Sequence, residues 1–268
     1  MKNKISFLLL VFGVVGLFYY PSLNLQKLSK QDAFIVDSIL AKTAQKLGQV
    51  KMRKENSNRL SISEFKSGLS WREKYFIFKI LRLKPSDLGA KTPKQPEEQR
   101  VKAIYKEIVN QPVNQNGKPL ELLAPLVSFP AYEAYEKMMA AMEKNLGKRL
   151  YVESGHRSQG YHLYNFLKYL REHQYSLIET GKLNALPGYS EHNLLVSHAI
   201  DLISAEGING EPKVEDYETL PEHQWMLKHA SDFGFTLSYP RENPWGIAFE
   251  PWHWKYSAEE NNSSQLVL

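Results

Sequence analysis

Ser190-Glu191-His192, running on to Asp201, and Glu250-Pro251-Trp252-His253 are the stretches from which the rest of this 268-residue chain is read. Together they hold two imidazoles, a ligand-type carboxylate and a second carboxylate three residues ahead of a histidine. A catalytic zinc takes three nitrogen or oxygen ligands from the protein and keeps one position open for water. It also needs a nearby base to take that water's proton. His192, Asp201 and His253 suit the ligand role, and Glu250 suits the base. A geometric condition comes with this assignment. Residues three apart on a straight strand point to opposite faces. Glu250 and His253 therefore serve one site only if the chain bends between them, and Pro251 allows that bend.

Four blocks surround these residues in order: Tyr151-Val-Glu-Ser-Gly-His-Arg-Ser158, Pro187-Gly-Tyr-Ser-Glu-His192, Ala199-Ile-Asp-Leu202 and Glu250-Pro-Trp-His-Trp-Lys-Tyr256. In order and approximate spacing they resemble the VanY-type D-alanyl-D-alanine carboxypeptidases, zinc peptidases that share a fold with lysostaphin and the hedgehog signalling domain. The resemblance covers about Leu120 to Tyr256. It implies zinc on His192, Asp201 and His253, with Glu250 as the base. It also implies a peptidoglycan stem peptide ending in D-Ala-D-Ala as substrate. Arg157 follows a glycine in a turn, and a fixed planar cation suits a carboxylate or a developing oxyanion. The family uses this arginine for substrate and transition-state stabilisation. Ser190 can hydrogen-bond the substrate's terminal carboxylate or hold its own turn.

The chain departs from the family pattern at two points. The step from His192 to Asp201 is two residues longer than usual and lacks a glycine, so the intervening loop must bulge, at a closure cost that grows slowly with length. His198, three residues before Asp201, is an alternative ligand; the preceding Pro187-Gly-Tyr-Ser-Glu favours His192. His162 stands where the family commonly has glutamine, which changes that polar contact with substrate.

Composition is that of an ordinary globular protein, with 43% hydrophobic and 24% charged residues. A net charge of +5 is compatible with an anionic wall polymer or membrane surface. No nucleic-acid motif accompanies it, and nucleic acid is not an expected partner. The absence of cysteine excludes a disulfide framework, a thiol nucleophile, thiolate zinc ligands and a lipid-modified N-terminal cysteine.

Lys2 and Lys4 precede an apolar run, Ile5 to Tyr20, and no charge follows until Lys27. That is the pattern of an export signal. It ends in bulky Phe18-Tyr19-Tyr20-Pro21 without an Ala-x-Ala-like cleavage site, which favours an uncleaved membrane anchor. The lysines should stay inside, placing the rest outside the cytoplasm, in the periplasm or on the outer face of the membrane.

Residues 29 to about 110 read as helical and carry no evident chemistry. Ser29 caps a helix bearing Val36, Ile39, Leu40, Ala44 and Leu47, with Gly48 placed to end it. Ser70-Trp-Arg-Glu73 is a capping box, and Pro85 stops the helix it starts. Val101, Ile104, Tyr105 and Ile108 have helical spacing. Asn110 to Pro119 is rich in turn residues and marks a boundary. Beyond it the spacing predicts a helix through Tyr132, Tyr135, Met138, Met139, Met142 and Leu146, a strand over 149–154, and helices at 161–171 and around Trp225 to Phe233. Strands are expected at Phe235–Tyr239 and Gly246–Phe249. The expected architecture is α+β: a small antiparallel sheet packed with helices, a zinc site in a cleft, a helical N-terminal region and a membrane anchor. The expected divisions are 1–26 signal or anchor, 27–118 helical accessory region and 119–268 zinc carboxypeptidase domain. Two rivals remain: a D,D-dipeptidase or wall endopeptidase of the same fold, and a non-catalytic zinc-stabilised wall-binding module.

Overall fold

The computed structural model describes residues 22–52, 55–92 and 104–257. The expected export signal or anchor falls almost wholly on residues 1–21, outside the described residues. Among the described residues no helix is long and apolar enough to cross a membrane.

The fold is α+β. Helices α1 (Lys30–Met52), α2 (Ile62–Lys66) and α3 (Trp71–Leu81) come first. Two short antiparallel pairs follow, β1 (Tyr105–Glu107) with β4 (Leu126–Ser128), and β2 (Asn114–Gln115) with β3 (Lys118–Pro119). Next come α4 (Phe129–Leu146), β5 (Leu150–Ser154), α5 (Gln159–Glu172), α6 (Leu177–Leu183) and β6 (Ala199–Ser204). The chain closes through α7 (Val214–Glu218), α8 (Pro221–His229), β7 (Phe235–Leu237) and β8 (His253–Tyr256). The main sheet is antiparallel in the order β5-β6-β8-β7.

This sheet has two unlike faces because its strands alternate. Val152, Ile200, Leu202, Trp254 and Tyr256 pack against Tyr135, Met138, Met139 and Met142 of α4 and Trp225 and Met226 of α8. Asp201 and His253 alternate with these residues and take the other face. That face looks toward α5, whose apolar side shares a second core with α1 and α3 through Val36, Ile39, Phe76, Ile77, Ile80, Leu163, Phe166 and Leu170. The helical N-terminal region therefore buttresses the helix that borders the cleft. The contact is close at Gly160, where a Cβ would sit 2.4 Å from the carbonyl oxygens of Leu60 and Ser61.

Several expected elements are corrected. The helix expected through Val101, Ile104, Tyr105 and Ile108 is not formed over the described residues 104–108, where Tyr105–Glu107 is a strand paired with Leu126–Ser128; Val101 lies outside the described residues. Helical spacing there loses to sheet pairing and to the Tyr105 ring, stacked 4.5 Å from His156. Gly48 does not end α1, which runs to Met52; a glycine permits the left-handed turn that closes a helix but does not impose it. Gly246–Phe249 is not a strand. Gly246 takes φ +69°, and the segment straps across α6, with Ala248 N–H donating to Lys182 O at 3.3 Å. The Ser70–Glu73 capping box is present as expected, and an analogous box at Ser61–Glu64 starts α2.

Candidate metal centre

Asp201 and His253 are directly opposite each other on paired strands β6 and β8, so their side chains meet on one face. His192 arrives from a one-turn 3-10 helix capped by Ser190, whose Oγ accepts the His192 N–H at 3.3 Å. The backbone locks this turn to the next block. Arg157 N–H donates to His192 O at 2.9 Å, and the Asn193 side-chain amide donates to Arg157 O at 2.7 Å. The bend required between Glu250 and His253 is there: His253 N–H closes a turn onto Glu250 O at 3.1 Å, around Pro251 and Trp252. Glu250 Oε2 thereby comes within 3.7 Å of His253 Nδ1.

The ring nitrogens show what the cluster can hold. His192 Nδ1 lies 2.8 Å from Gly155 O, which can only accept, so Nδ1 carries the proton. Burial first, then the charge of Arg157, lowers the His192 pKa to about 4, and the neutral ring presents a lone pair at Nε2. That lone pair faces Asp201 Oδ2 at 3.1 Å. Two acceptors this close repel each other unless a cation lies between them. His253 Nδ1 is 3.0 Å from Asp201 Oδ1, and its Nε2 is 3.0 Å from Glu191 Oε2. Burial works against charge on this ring, but the two carboxylates outweigh it and raise its pKa well above the ordinary value.

The site is built to surround positive charge. A metal displacing the His253 Nδ1 proton leaves Glu191 to keep the proton on Nε2, the arrangement in which a carboxylate orients a metal-binding imidazole. One ligand atom each from His192, Asp201 and His253 lies within 4.8 Å of the others. Donors on a tetrahedral zinc with bonds of about 2.0–2.1 Å stand about 3.3 Å apart. The three residues fit zinc.

The other expected site residues separate clearly. Arg157 Nη2 is 3.9 Å from Asp201 Oδ2, at the edge of the cluster. Glu250 lines the same cleft, and burial pushes its carboxyl up to about 7. Ser190 both caps the turn and lines the cleft. His162 also lines it. Its Nε2 lies 2.9 Å from Ala185 O and donates to it, while its buried Nδ1 has no hydrogen-bond partner. Burial and Arg157 lower its pKa to about 3. His198 is not in the cluster: its Nε2 accepts the Ser128 N–H at 2.9 Å and its Nδ1 lies 2.9 Å from Ala199 O. Both nitrogens of that fully buried ring serve the fold. The long step from His192 is taken up by the bends at 195–197 that precede it.

Glu191 and Tyr239 were not singled out in the sequence. Glu191 bridges His253 and Lys255, whose Nζ is 3.3 Å from its other oxygen. Tyr239 lays its ring 4.9 Å from the His253 ring. The position of Glu191 beside a candidate ligand was its sole signal, and Tyr239 had none.

Comparison with known proteins agrees with the blocks around the cleft. Residues 126–259, half the chain, match the family model described as VanY: D-alanyl-D-alanine carboxypeptidase. The bifunctional D-Ala-D-Ala dipeptidase and D-Ala-D-Ala carboxypeptidase VanXYC of Enterococcus gallinarum is 29% identical over 168 residues, 55% of this chain and 79% of that protein. A D-alanyl-D-alanine carboxypeptidase of Enterococcus faecium is 38% identical over 81 residues, 29% of this chain and 23% of that protein. Among solved structures, the LD-carboxypeptidase LdcB superposes with a TM-score of 0.48 at 22% identity, over 68% of this chain and 82% of that one.

Proposed function

The chain belongs to the VanY D-alanyl-D-alanine carboxypeptidase family, and from that premise we propose that it is a zinc-dependent carboxypeptidase removing the terminal D-alanine from peptidoglycan stem peptides ending in D-Ala-D-Ala. The observation that carries this reading is the convergence of His192 Nε2, Asp201 and His253 Nδ1 beside a carboxyl group, Glu250, that the metal does not need. Zinc held by the three residues supplies a Lewis acid that polarises the scissile carbonyl and makes its water more acidic.

The chain's own side chains do the rest. Glu250 takes the proton of the attacking water and returns it to the departing amine, a task suited to a carboxyl poised near neutral pH. Arg157, permanently charged, holds the developing oxyanion or the substrate carboxylate. Ser190 accepts the His192 N–H and keeps its own proton to donate to that carboxylate. His162, already donating through Nε2, offers Nδ1 as an acceptor and so suits a substrate N–H. The cavity beside the cluster is about 110 Å³, well below the 300–1,000 Å³ of drug-sized sites. This favours a small terminal residue over an internal cross-link.

Lys2, Lys4 and the uncharged run to Gln26 support an extracytoplasmic, membrane-anchored placement, on the side where peptidoglycan lies. The test is digestion of a synthetic stem pentapeptide by the purified full chain, with products weighed by mass spectrometry. Loss of one alanine, abolished by a chelator and restored by zinc, is the expected result. Release of an intact D-Ala-D-Ala would make it a dipeptidase. No cleavage by the zinc-loaded protein would leave it a binding module.

A further inference from the structure

Helix α3 is apolar on two opposite sides. Its inner side, Phe76, Ile77 and Ile80, is buried in the helical core. Its outer side carries Trp71, Tyr75, Phe78 and Arg82, at steps of four, three and four residues that form one stripe on a helix. Trp71 is 58% exposed and Phe78 49%, and the Tyr75 and Phe78 rings stack at 6.1 Å. Phe34 of α1, 74% exposed, borders the same cleft of about 870 Å³ as Trp71 and Tyr75. The helical core takes its face of α3 from Phe76, Ile77 and Ile80, and the outer stripe is not part of that core. Contiguous exposed apolar surface of this kind marks a contact site.

The charge around the stripe identifies the partner. Between Trp71 and Lys84 stand Arg72, Lys74, Lys79, Arg82 and Lys84 against a single acid, Glu73. Glu73 is buried and neutralised by Lys42 at 2.8 Å, and Asp32 of α1, which lines the same cleft, is paired with Lys79 at 3.5 Å. Arg72 lies 5.5 Å from the Trp71 ring centre, Lys79 5.8 Å from that of Tyr75, and Arg82 5.2 Å from that of Phe78. Aromatic rings fringed by arginine and lysine are the composition that settles at lipid headgroups. Position in the chain agrees. The apolar run ends at Tyr20, ten residues before α1 begins. Leu23, Leu25 and Leu28 between them pack into the helical core, leaving little slack.

We propose that the outer face of α1 and α3 docks on an anionic lipid surface, with Phe34, Trp71, Tyr75 and Phe78 entering the headgroup layer and Arg72, Lys74 and Arg82 meeting lipid phosphates. This goes beyond the hydrolytic reading and does not depend on it. The chain has no cysteine, so one introduced cysteine carries an environment-sensitive fluorophore without ambiguity. The full chain is labelled at Phe34→Cys, Phe78→Cys or, as a control on α8, Leu227→Cys, which is 51% exposed. It is then mixed with vesicles of equal parts phosphatidylglycerol and phosphatidylcholine. Labels at 34 and 78 brighten, shift to the blue and are quenched by brominated lipid tails, while the label at 227 does none of these. Arg72→Gln with Arg82→Gln lowers the ratio of docked to undocked face by about 25-fold, roughly fivefold for each charge. Retention on vesicles through the N-terminal run alone, with the label at 78 still in water, overturns the proposal. So does failure to bind these vesicles, or an equal response at 227. Protection of the label by wall sacculi and not by lipid assigns the face to a wall polymer and also overturns it.

Discussion

Replacing Glu191 with glutamine separates holding a metal from holding the ring that holds it. Glu191 Oε2 accepts from His253 Nε2 at 3.0 Å, its other oxygen pairs with Lys255 at 3.3 Å, and its side chain is 11% exposed. The amide keeps an acceptor of the same shape but removes the charge. A hydrogen bond to a charged group contributes about 1.5–3 kcal/mol and a neutral one about 0.5–1.5, so the change costs about 1–2 kcal/mol. That loss falls on the form in which Nε2 keeps its proton and Nδ1 is free for metal. Asp201, 3.0 Å from Nδ1, now favours a proton on Nδ1, where zinc must compete with it. Zinc affinity should fall roughly five- to thirtyfold, in line with the ~10–100-fold typical of such outer partners. Lys255, 31% exposed, turns to water, so the melting temperature of the metal-free protein should move little. Competition titration against a chromophoric chelator reads the affinity directly. Zinc binding within twofold of the parent would refute the argument that Glu191 sets the His253 tautomer.

Four further outcomes follow from other residues of the molecule. Glu250→Gln should keep zinc by elemental analysis yet lose at least ~10²-fold in turnover; wild-type turnover would remove Glu250 from the role of base. Gly160→Ala should destabilise by about 1–3 kcal/mol in denaturant titration, because its Cβ meets backbone oxygens at 2.4 Å. Gly48→Ala, within a helix and with nothing within 4 Å, should stabilise by about 1 kcal/mol. For Glu73, burial alone raises the pKa, but hydrogen bonds from Lys42, Ser70 and Ser38 outweigh it and bring it to about 2 from 4.5. Its contribution, about 1–2 kcal/mol after screening at half-exposed Lys42, is complete above pH 4.5 and fades as pH falls toward 2. Wild type and Glu73→Gln should therefore converge in stability across that interval and stay apart above it; a constant gap down to pH 2 would contradict the pairing.

Helices were legible in the sequence where one physical signal dominated. Ser70 and Glu73 specify a helix start by satisfying each other's backbone donors, and the structure has that box. The Tyr135–Met138–Met139–Met142 stripe is buried at helical spacing. Errors came where local pattern and tertiary pairing disagreed. Ile104, Tyr105 and Ile108 keep helical spacing, yet Tyr105–Glu107 finds its strand partner at Leu126–Ser128, and nothing local announces such a partner. Gly48 shows the converse. Glycine permits a helix end but does not impose one, and α1 continues through it.

The same distinction explains which parts of the site could be read. Few side-chain types bind zinc, which narrows the candidates to a handful of residues with His198 among them; it is the family-like order of the blocks around them that picks out His192, Asp201 and His253. What fixes their orientation is under no such restriction. The Nδ1 proton of His192 needs an acceptor, and it finds the backbone oxygen of Gly155, which any residue there would supply. The Nε2 proton of His253 needs one too and finds Glu191, a residue indistinguishable in sequence from a solvated surface acid. His198 completes the argument from the other side. It is a zinc-binding type in a plausible position, but Ser128 and Ala199 occupy both its nitrogens. Residue type limits which side chains can bind a metal; the hydrogen bonds of the fold then leave a ring nitrogen available at His192 and His253 and none at His198.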